Sequence, residues 1–172
     1  MHASVTLLLH HRAALRRLMV LFAVAVPLLF VARAAVVVED WPARRFALLY
    51  IAPFFVAFFV WARLWLDRVD RDPPRALAVD AAAAVLGAVR MAAVPLVPFS
   101  GHMVFFAYSA LTTRSARYLL LVLALAAGAT WFKLVLWRDP ASWALGMGLG
   151  TALAAVRIFL QRHSPVPTTT TP

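Results

Sequence analysis

The residues of this chain that could do chemistry sit in its second half. They are Arg90, Ser100, Gly101, His102, Lys133, Arg138 and Asp139. Three cations suit an anionic group such as phosphate, the arginines by a bidentate fork and the lysine as a point charge. Ser100-Gly101-His102 stands where a helix is predicted to open. Backbone N–H groups and the positive end of a helix dipole make such a turn a phosphate-binding element. His102 can deliver a proton to a leaving group. Asp139 carries a carboxylate that could attack phosphorus, since carboxylates form acyl-phosphates. Arg90, Ser100, Gly101, Lys133 and Arg138 are therefore the candidate phosphate-binding residues, and His102 and Asp139 the candidate catalytic pair.

The elements that must position them are apolar. Of the 172 residues 64% are hydrophobic, and the mean hydropathy is +0.84. A soluble domain is closer to half apolar. Six apolar stretches are predicted as helices: Leu18–Val38, Phe46–Trp65, Leu77–Val97, Met103–Leu111, Tyr118–Trp137 and Ala141–Leu160. Most approach the roughly 20 residues that cross a hydrocarbon core of about 30 Å. Backbone groups in lipid must be satisfied within the segment, which selects helices. The expected architecture is an all-α polytopic membrane helix bundle with about six transmembrane helices. Its expected divisions are an N-terminal cytoplasmic segment 1–17, a membrane domain 18–160 and a disordered Pro- and Thr-rich tail 161–172. The fourth stretch is short, and a helix buried among neighbours can be so. The basic start, apolar run and Ala32-Arg33-Ala34 also resemble a cleavable signal peptide.

The net charge is +10, and Lys133 is the one lysine. With the N-terminus inside, eleven basic residues (Arg12, Arg16, Arg17, Arg63, Arg68, Arg71, Arg75, Arg114, Arg117, Arg157 and Arg162) fall on the cytoplasmic side. Five fall outside: Arg33, Arg44, Arg45, Lys133 and Arg138. That asymmetry follows the positive-inside rule and puts both termini in the cytoplasm. It assigns the charge to a membrane surface, of the bacterial inner-membrane type, rather than to nucleic acid. The chain has no cysteine, which excludes disulfides and thiol chemistry. Arg90 lies within the third span, where an ionisable group needs an internal partner. Gly146 and Gly150 form a small-xxx-small face for close helix packing.

Over residues 77–160 the order of these features resembles the phosphatidic acid phosphatase type 2 family. Pro98-Phe99-Ser100-Gly101-His102 is similar to that family's Pro-Ser-Gly-His motif with one residue inserted. The segment from Trp131 to Gly150 is similar to the region of its Ser-Arg-x5-His-x3-Asp motif. The resemblance implies six membrane helices and metal-free hydrolysis of a lipid or isoprenoid phosphate at an outward-facing pocket. It implies no cofactor, His102 as general acid, and Arg90, Lys133 and Arg138 around the phosphate. The chain departs from the family in two places. It lacks Lys-x6-Arg-Pro. Counting from Lys133 in place of the arginine, Asp139 stands where the nucleophilic histidine belongs and Trp143 where the aspartate belongs. Two readings follow: a phosphatase-like membrane protein, or a non-enzymatic membrane protein that binds anionic lipid or a partner subunit.

Overall fold

A computed structural model describes residues 2–37, 41–92 and 98–163, with side-chain surroundings for 12–28, 32, 52, 54–88 and 98–163. Six α-helices make up the described chain, with no strand among them: α1 (His2–Val37), α2 (Trp41–Arg68), α3 (Pro74–Ala92), α4 (Gly101–Thr112), α5 (Ala116–Trp131) and α6 (Pro140–Arg162). A single π-helical turn, Phe132–Leu136, continues α5. α1 runs from His2 through the expected cytoplasmic segment 1–17 and into the first apolar stretch. Of the tail, 161–163 belong to the end of α6, and the remainder lies outside the described residues. The same is true of residues 38–40.

Two stretches, Ala116–Leu136 and Pro140–Arg162, are long and apolar enough to cross a membrane. The six predicted stretches thus become six helices, of which two meet that test within the described residues. Two of the others are short or charged. Twelve residues of α4 rise only about 18 Å. α3 carries Arg75, Asp80 and Arg90 within nineteen residues.

α4 is the centre of the bundle. Every residue from Gly101 to Ser109 is buried. α3 lies against one side of it and α6 against another. Glycines set both crossings. A Cβ on Gly101 would fall on the Gly87 carbonyl oxygen of α3. One on Gly146 would come to 2.5 Å from the Ser100 carbonyl oxygen, and one on Gly150 would fall on that of Val104. Ser142, Gly146, Gly150 and Ala154 recur every four residues as the buried stripe of α6, so its backbone reaches α4 directly. Phe54, Phe58, Trp61 and Trp65 bury one face of α2, with Phe54 and Phe58 in edge contact with or tilted against Phe105 of α4. Arg12 and Arg16 of α1 hold Asp70 in the turn between α2 and α3.

Candidate functional site

The end of α5 supplies the first polar cluster. Tyr118, Val122 and Ala129 mark its buried face, and Lys133 follows Ala129 by four residues onto that face. The π turn closes with the Trp137 amide donating to the Phe132 carbonyl at 3.0 Å. The chain then reverses through Arg138, which is exposed and in the left-handed region at φ 49°. Asp139 caps α6. One carboxylate oxygen accepts from the Ser142 amide at 3.2 Å. The other accepts from the Lys133 ammonium at 2.8 Å, and that ammonium also donates to the Ser142 hydroxyl at 3.2 Å. Trp137 lies over the ammonium at 5.3 Å. The bond from Lys133, helped by Ser142 and opposed by burial, draws the Asp139 carboxyl down to about 2 from its usual 3.8.

Ser100 joins this cluster through its backbone, its amide donating to the Ser142 carbonyl at 2.9 Å. Gly101 is committed to the close approach to α3. His102 is buried and stands edge-on to Phe54, the ring centroids 5.1 Å apart. The start of α4 is therefore enclosed by α3 and α6, where an open phosphate-binding turn was expected. Lys133 does not extend to a headgroup; it is buried and bonded to Asp139. Arg90 lies in α3, and its side chain is outside the described residues. The structure thus brings together Ser100, Lys133, Asp139 and Ser142 and leaves Arg138 exposed.

Replacing Asp139 with alanine should cost more than the roughly 1 kcal/mol of a lost helix cap. It would also leave the buried Lys133 with only the Ser142 hydroxyl and the Trp137 ring. Asp139→Asn keeps the cap and should lie between the two. Thermal unfolding in detergent measures the order. Because folding lowers the Asp139 pKa, its contribution is full above 3.8 and is lost as pH falls towards about 2. The gap between wild type and Asp139→Ala should therefore stay constant from neutral pH down to that range.

A second polar cluster escaped the sequence reading. Arg157 of α6 is buried, its Nε donating to Asp80 of α3 at 2.6 Å and its Nη2 to Asp72 at 2.6 Å. The Tyr108 hydroxyl of α4 donates to the same Asp80 oxygen. Arg68 approaches Asp80 to 3.8 Å and Asp72 to 3.9 Å. Arg157, expected among the surface arginines, is instead the hub of a buried ionic network. Its signal was present in the register: it continues the stripe from Ser142 through Ala154 by three residues. Among the described residues no group of three His, Asp or Glu side chains is placed to hold a metal ion.

These arrangements define an all-helical protein with two internal charge clusters. No protein-family model, characterised protein or solved structure matches the chain.

Proposed function

We propose that this chain is an integral membrane protein whose six helices form one bundle, and that it binds anionic lipid without turning it over. One observation carries the membrane reading: polarity is distributed inside out. Asp80, Arg157 and Lys133 are buried, whereas Leu18, Leu21, Leu28, Leu120, Leu123, Val156 and Phe159 are at least 49% exposed. In water, so many large apolar side chains spread along three helices would make an unstable surface. In lipid they face their own solvent, and charges pair inside the bundle.

The non-enzymatic form is supported by the state of the outer cluster. Both Asp139 oxygens are engaged, one in capping α6 and one by Lys133. An attack on phosphorus would break the cap and strand the buried ammonium. The family's nucleophilic histidine has no counterpart at this position. The phosphatase-like reading keeps the motif order and the buried Ser100-Gly101-His102. In this chain Gly101 and Ser100 serve the crossings of α4 with α3 and α6, and His102 packs against Phe54 of α2.

Alkaline carbonate extraction of expressing membranes, with a phosphatidate hydrolysis assay on the purified protein, tests both halves. The protein should stay in the membrane pellet and show no turnover above a His102→Ala control. Release into the supernatant would remove the membrane reading. Turnover lost in His102→Ala would restore the phosphatase.

A further inference from the structure

A cavity of about 680 Å³ lies at the end of the bundle remote from Lys133. Its walls come from the α2–α3 turn, the α4–α5 connection and the last turn of α6. Arg68, Arg71 and Arg114 line it together with Asp67, Asp72 and Gln161. Both aspartates are shared with arginines that do not line the cavity. Asp67 lies 3.5 Å from Arg63, and Asp72 lies 2.6 Å from Arg157. Arg71 donates to the Asp67 backbone carbonyl at 3.0 Å. Among the described residues neither Arg71 nor Arg114 pairs with a carboxylate, and both are exposed. The cavity therefore carries guanidinium charge in excess of its carboxylates.

Its level in the molecule is fixed by α5 and α6, two helices long and apolar enough to span. Ser115, which caps the start of α5, lines the cavity, as does Gln161, one residue from the end of α6. The cavity thus lies where both apolar segments stop, which on the membrane reading is the depth of a headgroup. Leu64 also lines it. Val60 and Val56 follow at four-residue steps along the same face of α2, exposed by 37% and 51%. An apolar track therefore leads from the charged cavity along the bundle. We propose that the cavity binds the phosphate group of an anionic lipid, with Arg71 and Arg114 as its anchors and an acyl chain along Leu64, Val60 and Val56. This rests on the membrane reading above and gives the lipid a place.

The test uses full-length protein, delipidated in detergent and offered phosphatidylglycerol or phosphatidylcholine, with bound lipid read by native mass spectrometry. Wild type should retain phosphatidylglycerol in preference. Two arginines at a membrane surface, at about a factor of five each, predict ten- to thirtyfold weaker retention in the Arg71→Gln/Arg114→Gln variant. Arg117→Gln removes an exposed arginine outside the cavity and should retain lipid like wild type, with both variants melting as wild type does. Equal retention by wild type and the double variant overturns the proposal, as does equal loss in Arg117→Gln. Inorganic phosphate that binds while phosphatidylglycerol does not would assign the cavity to a soluble phosphate and overturn the lipid. Wild type that stays in carbonate-washed membranes yet shows no preference fails the cavity alone. Wild type released by carbonate fails the membrane reading itself.

Discussion

Arg157→Met should prevent the protein from accumulating in membranes, or lower its stability in detergent by about 3–5 kcal/mol, the cost of breaking a buried ion pair from one side. The guanidinium holds two carboxylates at once, Asp80 and Asp72, each at 2.6 Å. Without it, the fully buried Asp80 keeps only the Tyr108 hydroxyl and a more distant Arg68. The same physics predicts a rescue. Removing both members in Asp80→Leu/Arg157→Met leaves less charge unpaired, and well-packed apolar replacements of a buried pair are often neutral. The double variant should therefore recover much of what the single one loses. Arg157→Lys should fall between, because a point charge cannot satisfy two carboxylates as a fork does. Membrane-fraction yield and detergent melting read all three. An Arg157→Met protein as stable as wild type would mean that the network contributes nothing to the bundle.

Alanine at three glycines of α6 should give opposite signs within four residues. Gly146→Ala and Gly150→Ala place a methyl on α4 backbone at the Ser100 and Val104 carbonyls, and on the Met103 and Ala107 side chains. Backbone cannot turn aside as a flexible side chain can, so the helices must separate. Overpacking of this kind costs about 1–3 kcal/mol, and these sites belong at the upper end. Gly148 has nothing within 4 Å of its would-be Cβ. Gly148→Ala should stabilise by up to about 1 kcal/mol through helix propensity alone. Melting of the three variants settles the order. Destabilisation by Gly148→Ala would show that its face is covered.

Much of this architecture was legible in the sequence because it rests on periodicity. The apolar stretches located all six helices, and Gly146 and Gly150 announced the α6 crossing. Helix ends were less visible. α1 extends well before Leu18, because Leu7–Arg17 contains no helix-breaking Gly or Pro to stop it. The cluster around Lys133 and Asp139 was half legible. Lys133 and Asp139 were marked by being charges beside an apolar helix. Their pairing depends on the π turn and the reversal at Arg138, which no local pattern signals. The buried network was missed because its members are far apart in sequence. Asp80 and Arg157 are separated by 77 residues, and an arginine five residues from the end of α6 reads as an interfacial one. Only the stripe it shares with Gly150 and Ala154 distinguishes it.

The most direct measurement is the sidedness of single cysteines, made simple by a chain that has none of its own. Arg71→Cys, Pro98→Cys, Arg114→Cys and Arg138→Cys all sit at exposed positions, in successive connections between α2 and α6. In intact cells a membrane-impermeant maleimide should label positions 98 and 138, and should reach 71 and 114 only after permeabilisation. Labelling of 98 and 114 from the same side would contradict the crossing of α4. Equal labelling of all four before permeabilisation would contradict the membrane bundle itself.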